Sequence, residues 1–138
     1  MTAGDPSFKK NEELASAFEK DGVDLIELGV PFSDPLADGP VIQASSQRAI
    51  ARGATLEKIL ALAKKIRRRS GVPLALMSYL NPIFHYGIKR FAAKAKSAGV
   101  DGVIIPDLTP DEGHEIKKIL NAQGLDLIYL LAPTSSAK

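Results

Sequence analysis

The sequence contains no cysteine and two histidines, and it lacks a long hydrophobic run. Without cysteine, a disulfide scaffold, a thiolate metal site and a cysteine nucleophile are all excluded. His85 and His114 stand alone, so no metal site is predicted. The longest apolar stretches, such as residues 125–133, are far shorter than the roughly 20 residues that a membrane helix needs.

The sequence also has almost no excess of charge of one sign. Eighteen Lys and Arg against sixteen Asp and Glu give a net charge of +2, too small to indicate a nucleic-acid partner. The first residues, MTAGDPSFKKNEE, contain no apolar signal segment. We therefore expect a cytoplasmic protein without a membrane segment. With 45% hydrophobic residues in 138, one domain spanning residues 1–138 is predicted.

Four segments share one pattern, in which a glycine and a short spacer precede a continuous apolar run. They occupy residues 22–30, 71–79, 99–106 and 124–131. Short apolar runs without alternation are typical of parallel strands that are buried on both faces. The sequence therefore predicts about four parallel strands.

Helical patterns lie between these runs, at residues 8–20, 41–51, 55–70, 88–98 and 110–122. Ser7 and Thr55 are predicted to cap the first and third of these helices, and glycines are predicted to end several of them. The alternation fits a doubly wound sheet or part of a (β/α)8 barrel. Because no G-x-G-x-x-G follows a strand, the dinucleotide-binding option is weaker. A whole barrel needs about 250 residues, so about half a barrel is predicted.

The segment after the first run is unusually long. Residues 29–40 contain three prolines and two glycines, which define a stiff, shaped loop. Glu27 lies inside the apolar run and Asp38 in the loop, both at the end of the strand where barrel active sites form. Such a pair suits two different proton-transfer roles. Alternatively, Glu27 is an ion-pair or rim residue, and Asp34 and Asp38 are turn residues.

The amino-acid sequence of this region resembles that of the tryptophan synthase alpha subunit family. The resemblance rests on ELGVPFSDPLADGP at residues 27–40, on Ile42 and Gln43 after it, and on TAGDP at residues 2–6. It continues through MSYLNP at residues 77–82, IPDL at 105–108 and LAPT at 131–134, and thus spans essentially the whole chain.

The resemblance implies a partial (β/α)8 TIM barrel and a lyase of tryptophan biosynthesis. The family cleaves indole-3-glycerol phosphate to indole and glyceraldehyde 3-phosphate without a metal or cofactor. Pyridoxal phosphate is expected only in the partner beta subunit of the alpha2beta2 complex. By the same resemblance, Glu27 is the residue that moves protons at indole C3 and the glycerol hydroxyl, and Asp38 offsets positive charge at the indole nitrogen.

Other positions matched by the resemblance have supporting roles. Tyr79 and Asn81 match residues near the indole pocket, Asp34 and Pro31 match the interface with the beta subunit, and Asp107 matches an acid on a neighbouring loop. For each, strand-end packing or turn capping is the structural alternative.

Relative to the family, the sequence lacks the later strands and the glycine-rich phosphate site. We therefore expect the lyase activity of this chain to be impaired or lost, and its open barrel edges to favour self-association. Two alternatives remain open at this point. One is a non-catalytic fragment or module that binds the beta subunit, and the other is an unrelated flavodoxin-like protein.

Overall fold

A computed structural model describes residues 1–133 and 135, and strands alternate with helices along them. The helices are α1 (Phe8–Lys20), α2 (Pro40–Ala51), α3 (Leu56–Arg67), α4 (Leu80–Tyr86), α5 (Ile88–Ser97) and α6 (His114–Ala122). The strands are β1 (Ile26–Gly29), β2 (Leu74–Met77), β3 (Gly102–Ile104) and β4 (Asp126–Ile128). The predicted α/β class, with four parallel strands and intervening helices, is confirmed.

The strands form one parallel sheet in the order β1-β2-β3-β4. Leu28 of β1 lies opposite Leu76 of β2, which in turn lies opposite Val103 of β3. Ahead of β1, Thr2 forms a parallel bridge with Gly29 and so extends the sheet by one short edge. A strand order that follows the chain is that of a βα barrel, whereas a doubly wound sheet reverses direction at a switch point. The flavodoxin-like alternative is therefore wrong.

The two faces of β1 differ in burial. Alternate residues such as Ile26, Leu28 and Leu76 are almost fully buried against the helices. On the other face, Leu25 is 46% exposed and Glu27 is also exposed. The prediction of strands buried on both faces is thus wrong for β1 and for β4, whose residues are exposed or half-buried, and it is confirmed for β3 and for Leu74–Leu76 of β2. The inner face of a barrel strand is covered by strands across the barrel, and within the described residues no strand lies opposite it.

The hydrophobic core lies between the sheet and the helices. Phe91 of α5, Leu62 of α3 and Ala15 of α1 are at most 2% exposed and belong to the same core cluster as the strand residues. The predicted caps are confirmed, because the Ser7 hydroxyl accepts from the Lys10 N–H and the Thr55 hydroxyl from the Lys58 N–H. None of the described helices is long and apolar enough to cross a membrane.

Backbone conformation explains why a glycine precedes the apolar run in three of the four segments. Gly22, Gly99 and Gly124 follow helices with φ between +70° and +83°, the left-handed region that other residues rarely adopt. The fourth, Gly71, has no such conformation, because α3 ends at Arg67 rather than at residue 70.

One further helix boundary differs from the prediction, and one helix was missed. α6 begins at His114 rather than at residue 110, because a turn closed by the Gly113 N–H and the Thr109 carbonyl (2.9 Å) occupies the preceding residues. α4 was not predicted, and His85 is exposed in its last turn. Its seven residues are too few to show a helical period.

Replacing Phe91 with Ala should reduce the free energy of unfolding by about 3–5 kcal/mol, because the ring is fully buried and its loss leaves a cavity. Phe84→Ala is the matched control, since Phe84 is 68% exposed, and it should change stability by less than about 0.5 kcal/mol. Urea denaturation followed by circular dichroism measures both. Equal losses from the two variants would contradict this core assignment.

Candidate active site

A cavity of about 250 Å³ opens at the carboxyl ends of β1 and β2. Glu27, Asp38 and Tyr79 all line it, together with apolar side chains that include Val30, Ile42 and Met77. These residues come from two strands, the loop after β1 and helix α2. The structure therefore brings the two predicted acids into one cavity. If Glu27 and Asp38 were only rim and turn residues, they would not need to face the same cavity.

Glu27 is placed by the strand that carries it. Ile26 and Leu28 point to the buried helix side, so the period of two in a strand sends the Glu27 side chain to the inner face. In the sheet register Glu27 lies opposite Ala75, whose small side chain leaves space beside the carboxylate. Glu27 is exposed and faces the cavity, where a bound molecule would be within reach of its carboxylate.

Asp38 is half-buried and directly precedes Gly39, the N-cap of α2. Its backbone carbonyl accepts a hydrogen bond from the Gln43 side-chain amide at 2.8 Å. A carboxylate beside a helix N-terminus is favoured by the partial positive charge there. The site thus holds one acid on a strand and one at the start of a helix.

Tyr79 holds the loop that carries Asp38. Its side chain is 4% exposed, and its hydroxyl accepts from the Ala37 N–H at 2.9 Å. Its ring packs against Phe32 of the same loop, with 5.5 Å between ring centroids and 37° between the planes. Tyr79 therefore contacts the loop near both ends as well as lining the cavity.

The other predicted residues lie outside this cavity. Asn81 is exposed in the first turn of α4, and Asp34 is exposed in the loop, where it accepts a hydrogen bond from the Ser33 hydroxyl. Pro31 is half-buried in the same loop. Asp107 accepts from the Leu80 N–H at 2.9 and 3.2 Å, and so caps α4 from the neighbouring loop. Thr134, matched by the resemblance, lies outside the described residues.

Sequence reasoning missed a polar cluster beneath the site. Asp5 forms ion pairs with Arg48 of α2 and with Arg52, which directly follows α2. Hydrogen bonding from the Arg48 guanidinium is the strongest influence and holds the pKa of Asp5 below its ordinary value. Asn11 of α1 is fully buried and binds the loop that carries Asp5. The only sequence signal for this cluster was the position of Asn11, a polar residue on the inward face of α1 four positions before the buried Ala15.

Successive parallel βα units in chain order, with two carboxylates in a cavity at the carboxyl ends of the strands, are the arrangement of a (β/α) barrel. Comparison with known proteins agrees. The family model for the tryptophan synthase alpha chain matches residues 1–138. The chain belongs to the tryptophan synthase alpha chain family.

Individual relatives are similar over nearly all of this chain. The tryptophan synthase alpha chain of Geotalea uraniireducens is 58% identical over 135 residues, which are 98% of this chain and 51% of that protein. The crystal structure of the alpha subunit from Legionella pneumophila superposes with a TM-score of 0.96 at 43% identity, covering 99% of this chain and 53% of that one. A chain of the tryptophan synthase a2b2 complex from Pyrococcus furiosus gives 0.93 at 39% identity, covering 99% and 58%. This chain thus spans about half the length of the curated relatives it matches.

Replacing Tyr79 with Phe should loosen the loop over the cavity without unfolding the protein. The ring contact with Phe32 remains, but the Ala37 N–H loses its acceptor, at a cost of about 1 kcal/mol. Amide exchange at Ala37, followed by NMR, should become several-fold faster. Tyr86→Phe is the control, because its hydroxyl contacts Glu57 and Tyr86 does not line this cavity. An unchanged exchange rate at Ala37 would show that the hydroxyl does not hold the loop.

Proposed function

We propose that this chain supplies the two carboxylates of a tryptophan synthase alpha-type lyase, which cleaves indole-3-glycerol phosphate to indole and glyceraldehyde 3-phosphate. The observation that carries the proposal is the convergence of Glu27 and Asp38 on one cavity from separate elements. Membership in the family supports the lyase class. In this proposal the reaction is a step of tryptophan biosynthesis and takes place in the cytoplasm.

The proposed reaction is a carbon–carbon cleavage driven by proton transfers. Glu27 donates a proton to indole C3, which converts the ring enamine to an iminium cation. Removal of the glycerol hydroxyl proton then forms the aldehyde carbonyl, the bond from C3 to the side chain breaks, and its electron pair neutralises the iminium. The same carboxylate serves as acid and then as base, since its exposed position on the inner face leaves it free to meet both atoms.

Asp38 has a different role in the proposal. A carboxylate near the indole N–H stabilises the positive charge that develops at nitrogen when C3 is protonated. Its half-buried position strengthens that interaction, because charges in a drier environment are less screened. Val30, Ile42 and Met77 supply apolar surface of the kind that an indole ring requires. These steps use proton transfer alone, and the proposal assigns no cofactor to this chain.

The partner in this proposal is a tryptophan synthase beta subunit, which would carry the pyridoxal phosphate. The support is the likeness to a chain of the Pyrococcus furiosus a2b2 complex, and the exposure of Asp34 in the loop after β1. Pro31 and Asp34 would lie at the interface. The second candidate function, a module that binds the beta subunit without catalysis, rests on the same exposed loop.

Release of indole from indole-3-glycerol phosphate, with and without added beta subunit, tests the proposal. Glu27→Gln should lower the rate by about 10²–10⁴-fold because the proton donor is lost. Asp38→Asn should lower it by about 10²–10³-fold because the cation loses its counter-charge. Both variants keep the shape of the side chain, so the melting temperature should change little.

Glu13→Gln is the matched control, because Glu13 is exposed on α1 and pairs only with Lys10 among the described residues. Its rate of indole release should equal that of the unchanged chain. If the folded chain releases no indole but still alters the activity of the beta subunit, the lyase proposal is wrong and the chain is a binding module. Activity that survives both acid substitutions would refute the assigned roles.

A further inference from the structure

Helix α2 shapes the cavity but is weakly held by apolar packing. It follows Asp38 and contributes Ile42 and Ser46 to the cavity wall. Its buried residues are two serines and an alanine, and Val41 in its first turn is 77% exposed. Because burial of large apolar side chains is what normally fixes a helix on a core, other contacts must set the position of α2.

Those contacts are polar and come from the loop at residues 2–5. The hydroxyls of Thr2 and Ser45 are hydrogen bonded at 2.8 Å. The Arg48 guanidinium donates through Nε to Asp5 Oδ1 at 3.0 Å and through Nη2 to Asp5 Oδ2 at 2.7 Å. Arg52 Nη1 adds a third bond to Asp5 Oδ1 at 3.1 Å. α2 is thus tied to this loop at successive turns along its length.

The loop at residues 2–5 is itself fixed by the buried side-chain amide of Asn11. The Asn11 Oδ1 atom accepts from the Gly4 N–H at 2.7 Å, and Nδ2 donates to the Thr2 and Asp5 carbonyls at 3.1 and 3.2 Å. The Ala3 N–H donates to the Gly29 carbonyl at 2.9 Å, which joins the loop to β1. A continuous chain of bonds therefore runs from α1 and β1 through Asp5 to α2.

Most exposed ion pairs contribute little, since solvent screens them and two side chains lose freedom. The pair of Asp5 and Arg48 differs in geometry, because both carboxylate oxygens meet the planar guanidinium and the Asp5 side chain is only 13% exposed. Paired bonds of this kind fix orientation as well as distance.

We propose that Asp5 and Arg48 are positioning residues of the site, which orient α2 and thereby set Asp38 and Ile42 relative to Glu27. This inference rests on the proposed function only in that Asp38 is taken to act on the substrate. The two residues do not line the cavity, and they act through the helix that does.

Arg48→Met tests the inference, with Lys65→Met as the matched control. Lys65 pairs with Glu12 at 3.1 Å, and the exposures of that pair, 58% and 15%, resemble the 52% and 13% of Arg48 and Asp5. The ion pair of Lys65 joins α3 to α1 and involves no residue of α2. Amide hydrogen exchange, read by mass spectrometry, compares residues 40–51 with residues 8–20 in each variant.

In Arg48→Met, exchange in residues 40–51 should rise about tenfold while residues 8–20 stay unchanged, as expected for local loosening. The kcat for indole release should fall by about tenfold or more with little change in KM, because a displaced catalytic group lowers kcat. Arg48→Lys should restore only part of the loss, since lysine keeps the charge but not the paired bonds. Lys65→Met should leave both the exchange of residues 40–51 and the kcat for indole release unchanged.

Asp5→Asn is the second variant, used in place of Arg48→Met if the latter does not fold. Unchanged or uniformly raised exchange along the chain would overturn the inference, as would faster exchange in α2 with an unchanged kcat. If the unchanged chain releases no indole, the lyase proposal fails. The exchange data still decide whether the pair fixes α2.

Discussion

The site depends on the register of β1. Burial of Ile26 and Leu28 against the helices fixes which way the strand faces, and the alternation of a strand then sends Glu27 to the inner side. A slip of one residue would drive the carboxylate into the apolar layer and expose the two aliphatic side chains, which would cost several kcal/mol. The position of the acid therefore follows from the hydrophobic effect acting on its neighbours.

The sequence predicted the features that local rules determine. The four strands, the caps at Ser7 and Thr55 and the proximity of Glu27 to Asp38 all follow from short-range patterns or from the topology of parallel βα units. The contacts of Tyr79 with Ala37, and of Asp5 with Arg48, join residues 42 and 43 positions apart, and no spacing rule reports them. The helix α4 was missed because seven residues show no period, and the exposure of Leu25 because burial on the inner face needs an opposing wall.

The two acids of the cavity are held by different forces. Apolar burial places Glu27, and such burial is tolerant of small shifts because it depends on area rather than direction. Asp38 is placed by directional contacts. Tyr79 binds the loop that carries Asp38, and Asp5 binds Arg48 of the helix α2 that follows it. Hydrogen bonds lose strength within a few tenths of an ångström, so they set the spacing of the acids more sharply than packing does. The polar contacts therefore set the position of Asp38 relative to Glu27, on which the reaction of a substrate bound between the two carboxylates would depend.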